Sequence, residues 1–451
     1  MPSRTRVSLH TLGCPKNDAD SGTFARRLRT LGVTVADDPD DATHIVINTC
    51  GFIQDAKEES IAAILEAVGS YPGRDVLVMG CLVERYRDEL AAEIPEVAGW
   101  FRLGEVEALV ERLAATIEDG PAMGPTREVA GPRPVPARSL GSAAHRHAYA
   151  FVKISDGCDH RCTFCAIPAI KGSYRAQTVA QIQEEALAGL DAGARELVLV
   201  GQDTAIWEQG GLDLPGLIDL LAADDRVAWI RLMYLQPEHV TDRLLAFMAS
   251  HPKVCRYLDV PFQHASTTVL RRMGRRGTAD EYLALLGRAR AFMPDLATRS
   301  TFIVGFPGEG RADMNRLLDF VERADLRYGG AFVYSAEEGT VAAELRPPVP
   351  PRTARRRLQR LTDALFVVAA AQHERLVGTE VEVLIDGMVD PGGSEEVPQD
   401  VVAIGRSRGQ APDVDGVTFI SGRLPRGTGR GDILRAEVIE ALGYDLVVTC
   451  A

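Results

Sequence analysis

The chain has no apolar run of about 18 residues, the least a bilayer-spanning helix needs. Its first residues, MPSRTRVSLH, lack the apolar stretch of a secretion signal. The expectation is a cytoplasmic protein with no membrane partner. Cysteine is scarce, eight residues in 451, too few for a disulfide scaffold. In a reducing compartment, clustered cysteines are more often metal ligands or catalytic groups than crosslinks. Positive charge is in deficit: 50 Lys and Arg face 63 Asp and Glu, for a net charge of −13. Such a surface does not draw in a polyanion, so a nucleic-acid substrate would need a local basic patch. A basic protein would be attracted by the same field. With 46% hydrophobic and 25% charged residues, the chain can bury cores in two or three domains and is not broadly disordered.

The expected fold class is α/β, in three parts. Residues 1–118 alternate short Val- and Ile-rich runs (VSLHTLG, HIVINTCG, VLVMGC) with helical patterns at Asp20–Leu31 and Lys57–Val68. That alternation predicts βαβ units and a parallel sheet. Residues 119–147 are rich in Pro, Gly and Ala without periodicity, as a linker would be. Residues 148–370 carry six strand candidates: FVKIS, ELVLVGQD, WIRLMYLQ, RYLDVPFQH, RSTFIVGFPGE and AFVYS. Helices fall between them. Thr178 and Gln181 form a capping box that starts one of these, and Gly193 suits its end. Six such units suggest an open or partial parallel (β/α)6 barrel. Residues 371–445 hold the strand candidates VEVLID, DVVAIGR, VTFIS and DILRAEVIEAL between Gly- and Pro-rich turns, a pattern that suggests a small β-barrel.

Two sets of cysteines carry chemistry. Cys158, Cys162 and Cys165 fall within eight residues just after a strand. Three local thiolates suit a 4Fe–4S cluster whose fourth iron is left open. Zinc would close its tetrahedron with a fourth ligand, and His160 is too near in sequence to supply it; unligated buried cysteines are the other alternative. Cys14, Cys50 and Cys81 are 36 and 31 residues apart, about one βαβ unit each time. Each follows a predicted strand, so parallel strands would bring all three to one sheet edge as a second cluster site. Core cysteines would fall within the strands instead. Cys255 reads as core and Cys450 as a tail thiol.

In parallel α/β folds, ligands sit beyond the carboxyl ends of the strands. Gln202-Asp203, Gln236 with Glu238, Gln263-His264 and Gly305 through Glu309 all fall there and predict a shared cofactor pocket. Gly305 and Gly308 would allow close backbone approach to a nucleoside. The arginines of 271–276 and 352–360 read as solvated helix faces.

CxxxCxxC with Phe164 before the last cysteine resembles the signature of the radical S-adenosylmethionine superfamily. The resemblance implies that the open iron chelates the methionine part of S-adenosylmethionine, that reductive cleavage yields a 5′-deoxyadenosyl radical, and that Phe164 packs near the adenine. One cysteine trio in an N-terminal α/β domain, the radical motif next and a small barrel last resemble the methylthiotransferases over nearly the whole chain. TLGCPKN (11–17), NTCGFIQDAKEES (48–60), GSYR (172–175), YLQPEHVTD (234–242) and YLDVPFQHAS (257–266) are similar to the RimO branch, and the barrel to a TRAM domain. The chain departs from the family's Arg-Gly-x-Tyr-Arg-Ser-Arg pattern at Lys171, Ala176 and Gln177.

This resemblance implies two 4Fe–4S clusters, on Cys14, Cys50, Cys81 and on Cys158, Cys162, Cys165. It also implies S-adenosylmethionine as methyl donor and radical source, and an electron donor such as flavodoxin or ferredoxin. The implied substrate is an aspartate of small-subunit ribosomal protein S-twelve, methylthiolated at its β-carbon. The alternative acceptor is a tRNA adenosine, as in the MiaB branch, which shares every cysteine. Charge favours the protein: from Gln372 onward, 14 Asp and Glu against 7 Arg and no Lys leave −7, whereas a tRNA-gripping barrel would be basic.

Overall fold

The computed structural model describes residues 5–36, 38–119, 147–389 and 400–450. Residues 120–146, the body of the expected linker, lie outside the described residues. The chain divides into two compact units. The first comprises 1–146 together with 166–173, and the second comprises 147–165 and 174–451.

The first unit is a five-stranded parallel sheet: β1 (Arg6–Thr11), β2 (Thr34–Ala36), β3 (His44–Thr49), β4 (Asp75–Gly80) and β5 (Gly99–Phe101) in the order β2-β1-β3-β4-β5. The helices α1 (Pro15–Thr30), α2 (Gln54–Ser70), α3 (Cys81–Glu93) and α4 (Val106–Asp119) alternate with it. Because side chains alternate across a strand, β3 and β4 feed two cores. Ile45, Ile47, Val76 and Val78 pack with Ile64 and Leu90. Val46, Leu77 and Met79 pack with Phe24, Leu28 and Leu109. Burial on both faces explains the nearly unbroken apolar runs. Helix α5 (Ile167–Lys171) also belongs to this unit.

The second unit carries six parallel strands as two sheets of three. β6 (Tyr149–Lys153), β9 (Glu196–Val200) and β12 (Trp229–Leu232) form one; β13 (Tyr257–Asp259), β14 (Ala297–Val304) and β15 (Tyr328–Val333) form the other. A parallel bridge between Ile230 and Val254, and the bond from Leu235 N to Asp259 O (2.9 Å), connect them into the partial barrel. The short pairs β7 (Ser155–Asp156) with β8 (Arg175–Ala176), and β10 (Glu208–Gln209) with β11 (Leu212–Asp213), are antiparallel. Helices α6 (Val179–Asp191), α7 (Leu214–Ala222), α8 (Asp242–Ser250), α9 (Thr267–Arg272), α10 (Ala279–Phe292), α11 (Arg311–Ala324) and α12 (Pro351–Glu374) complete it. Helix α6 starts on the capping box of Thr178 and Gln181.

The unit ends in a closed barrel of β16 (Glu380–Met388), β17 (Val401–Ser407), β18 (Thr418–Ser421), β19 (Ile433–Leu442) and β20 (Asp445–Thr449), ordered β16-β17-β18-β20-β19. Val383, Ile385, Ala403, Ile420, Val438 and Val448 fill it. Cys450 packs against this core, so it is not a loose tail thiol. Cys255 is fully buried, as a core residue should be.

The barrel is seated on the amino ends of the parallel strands through buried ion pairs. Glu196, the first residue of β9, meets Arg231 Nε at 2.6 Å and Arg406 Nη1 at 2.5 Å. Arg406 also pairs with Asp386 at 2.7 Å. Tyr257 Oη donates to Asp415 at 2.6 Å, and Arg299 lies 3.4 Å from the same carboxylate.

Candidate functional site

The N-terminal cysteines all follow carboxyl ends of strands. Thr49 and Gly80 are paired across β3 and β4, so Cys50 and Cys81 leave the sheet side by side. Cys14 is the N-cap of α1 and Cys81 is the first residue of α3. Helix N-termini favour negative charge and so favour thiolates. A buried polar network fixes these turns. Asn17 Nδ2 donates to Leu12 O (2.8 Å) and Thr49 O (3.2 Å), while Asn48 Nδ2 donates to Ser21 Oγ (2.9 Å). Ser60 Oγ both accepts from Cys50 N and donates to Cys50 O, at 3.0 Å each.

Burial pushes the Cys50 thiol up to about 11, and the neighbouring Cys14 adds to that. Burial pushes Cys81 up to about 12, with Cys50 and Cys14 raising it further. Two buried thiols that reluctant to ionise alone, Cys50 and Cys81, match a site whose thiolates are balanced by iron.

Glycine makes the approach possible. A Cβ on Gly51 would sit 2.7 Å from Leu82 Cα and 2.8 Å from Cys81 O, both backbone atoms that cannot swing aside. Gly51→Ala is therefore expected to cost about 1–3 kcal/mol of stability through overpacking and to spread Cys50 from Cys81. Gly69→Ala is the control, because nothing lies within 4 Å of its added Cβ. Denaturant midpoints and iron content of the two variants check this; equal behaviour would refute it.

The second trio lies on the loop that leaves β7, whose pairing with β8 closes the loop's base. Thr163 anchors the loop: its N donates to Met273 O (2.9 Å) and its Oγ1 to Arg272 O (2.8 Å), while its carbonyl accepts from Ala342 N (2.9 Å). Burial raises the Cys158 thiol above its ordinary value, and Cys162 adds to the rise. Phe164 packs against Val269, Met273, Phe306 and Ala342.

Arg275 was expected on a solvated face and is buried instead. Its Nη1 donates to Cys162 Sγ at 3.8 Å and to Gln236 Oε1, and its Nη2 donates to Pro261 O at 2.8 Å. Charge count alone hid this, because the deciding fact is the turn at Gly274 (φ +68°), whose missing Cβ leaves room for Arg161 O. Arg357 departs from expectation in the same way, lying 3.0 Å from the buried Glu309.

The carboxyl ends of the strands gather further polar groups. Asp203 is 1% exposed, and its Oδ2 lies 2.9 Å from His160 Nε2 and 2.6 Å from His239 Nδ1. One carboxylate thus ties the cysteine loop to the end of β12. The carboxylate beside His160 raises that imidazole's pKa, against the pull of burial. Among the described residues, Asp203 Oδ1 and Gln202 Oε1 are buried acceptors without a partner. His264 is fully buried and its Nδ1 accepts from Ala265 N and Ser266 N, both at 2.9 Å. Burial lowers its pKa to about 4, so Nε2 carries a proton and is an orphaned donor. Gln263 holds a φ of +67°, strain of the kind that collects at ligand sites. Orphaned donors and acceptors at this edge fit a polar cofactor such as the aminoacyl end of S-adenosylmethionine. Gly305 (φ +76°) and Gly308 (φ +81°) lie here too, and the space a Cβ would fill is taken by Ala354 and Arg272.

A model of the radical SAM superfamily matches residues 152–321. One described as the uncharacterized protein family UPF0004 matches 6–102, and a TRAM domain model matches 377–450. The cobalamin- and [4Fe–4S]-bound radical S-adenosylmethionine methyltransferase TsrM of Kitasatospora setae shares the fold. Its TM-score is 0.52 at 16% identity, covering 73% of this chain and 72% of that one. The radical SAM match, with relatives named as methylthiotransferases, makes this chain a radical S-adenosylmethionine methylthiotransferase, an enzyme that uses S-adenosylmethionine and 4Fe–4S clusters. The "Ribosomal protein uS12 methylthiotransferase RimO" of Geobacter sulfurreducens is 39% identical across 99% of this chain and 98% of its own length. That of Desulforudis audaxviator is 42% identical across 98% and 96%, and that of Thermotoga maritima 38% across 98% and 99%. The chain belongs to the RimO family.

Proposed function

We propose that this chain methylthiolates the β-carbon of an aspartate in small-subunit ribosomal protein S-twelve. In this reading Cys158, Cys162 and Cys165 hold the radical-generating cluster, and Cys14, Cys50 and Cys81 hold a second one. The observation that carries it is the pair of trios: Cys50 and Cys81 follow paired ends of parallel strands, and Cys158, Cys162 and Cys165 share the loop that leaves β7. An aspartate β-proton is far too weakly acidic for base catalysis, so homolysis is the accessible route. When bound, the clusters and S-adenosylmethionine supply that homolysis and the methylthio group.

The protein's share is placement. Arg275 offers a hydrogen bond to the Cys162 sulfur, which tunes a cluster's potential. Gln202, Asp203, Gln263 and His264 present polar groups to the cofactor, Phe164 backs the cysteine loop, and Gly305 and Gly308 shape the turn beside it. Reduction comes from a small one-electron carrier such as flavodoxin or ferredoxin. A ribosomal substrate places the activity in the cytoplasm; no helix among the described residues is long and apolar enough to cross a membrane.

Barrel chemistry supports a protein acceptor over tRNA. In the barrel Arg406, Arg408 and Arg435 are paired with carboxylates and poorly placed to neutralise phosphates, and from Gln372 onward acidic residues outnumber arginines 14 to 7. Mass spectrometry of ribosomal proteins from a deletion strain tests the acceptor. The expected result is an S-twelve lighter by one methylthio substituent. An unchanged S-twelve mass beside an altered tRNA nucleoside would overturn the proposal.

A further inference from the structure

Lys171 has no part in the chemistry described so far, yet it is only 7% exposed. Lysines are rarely buried without compensation. It ends α5, in the segment of 166–173 that belongs to the first compact unit. Within that unit, Ala166 and Ile170 form a buried cluster with Cys81, flanked by Leu103. Lys171 is thus carried on the short helix that packs on Cys81. Its Nζ lies 3.0 Å from Asp20 Oδ2 on α1, a carboxylate 22% exposed.

Charge explains the placement better than a staple does. A 4Fe–4S core on three thiolates is net negative and gains another negative charge on reduction. Burying that charge is costly without cations nearby. The dipoles at Cys14 and Cys81 supply part of the balance. The Lys171 ammonium sits beside Asp20 on α1, the helix that Cys14 caps, while its own helix packs on Cys81.

We propose that Lys171 is a positioning residue whose ammonium stabilises the reduced cluster on Cys14, Cys50 and Cys81, with Asp20 as its moderating counter-charge. The inference rests on the two-cluster reading given above. It makes signed predictions. Removing the cation disfavours the reduced state; removing the opposing carboxylate favours it. A structural staple predicts neither sign, because losing either partner of an ion pair breaks the same contact.

The test uses the full chain with Cys158→Ala, Cys162→Ala and Cys165→Ala, so that the N-terminal trio alone takes up iron and sulfide under anaerobic reconstitution. Potentiometric titration followed by electron paramagnetic resonance then reads the midpoint. On this background Lys171→Gln is expected to shift the midpoint to more negative potential. The reduced-to-oxidised ratio at a fixed potential should fall roughly tenfold, since a neighbouring buried charge is worth several times RT. Asp20→Asn is expected to shift it the other way, and Lys171→Arg to stay near the parent. Should Lys171→Gln misfold, the opposite sign for Asp20→Asn and rescue by arginine still decide. Midpoints that ignore both residues, or that move the same way in both variants, overturn the inference while leaving two clusters intact. A parent that binds no cluster overturns the two-cluster reading and this inference with it.

Discussion

Alanine at Cys81 is expected to cut the iron bound after anaerobic reconstitution from about eight to about four per chain. It should abolish methylthio product while S-adenosylmethionine cleavage continues. The expectation follows from geometry. Cys50 and Cys81 leave paired strand ends side by side, and Ser60 locks the Cys50 backbone from both of its polar atoms. Gly51 brings the two turns within backbone contact. With one thiol gone, the remaining two face a buried site with no replacement ligand among these turns. The complementary variant, Cys162→Ala, should also lose about half the iron, but it should lose cofactor cleavage as well. Iron and sulfide analysis beside 5′-deoxyadenosine release separates the two. About four irons in the wild-type chain, unchanged in Cys81→Ala, would sink the two-cluster assignment.

The second large effect lies at the amino ends of the parallel strands, where Glu196 opens β9. Glu196→Ala should destabilise the second unit by about 3–5 kcal/mol, the cost of breaking a buried ion pair from one side. Glu196, Arg231 and Arg406 are almost wholly buried, so losing the carboxylate leaves two guanidiniums without it. Burial by itself would push the Glu196 carboxyl up, but Arg231 and Arg406 hold it below the ordinary glutamate value of 4.5. A depressed carboxyl contributes stability above its unfolded pKa and loses it as pH falls through the folded one. The difference between wild type and Glu196→Ala should therefore be full at neutral pH and shrink below about pH 4.5. Glu107→Ala provides the comparison. Its pair with Arg27 is about half exposed on both sides, and such pairs are worth about 0–1 kcal/mol. Urea midpoints at neutral and acidic pH read both. A Glu196→Ala midpoint within error of Glu107→Ala would refute the idea that this network seats the barrel.

Both results bear on what the sequence could reveal. The strand ends that carry Cys14, Cys50 and Cys81 were legible because each cysteine follows a short Val- and Ile-rich run, and because a βαβ spacing returns the chain to the same sheet edge. The six strands of the partial barrel were legible for the same reason. Other elements were not. β2 and β5 are three residues each, too short to show periodicity. β20, which closes the terminal barrel between β18 and β19, follows its neighbour after a two-residue turn and reads as its tail. Helix α1 begins at Pro15, ahead of the apolar pattern, because Cys14 is its N-cap without a side-chain cap bond.

The expectation of iron–sulfur chemistry came from the sequence, since ligand type and spacing are local or follow from one repeated unit. Tertiary structure alone decided which charges do something other than face water. Arg275, Arg357, Lys171 and Arg406 look like ordinary surface cations in sequence, yet each is turned inward to a sulfur or a carboxylate. The same holds for Asp203, placed between two histidines from different loops. The physical reason is that a strand's burial shows in its own periodicity, whereas a long polar side chain takes its environment from whatever the fold packs around its tip.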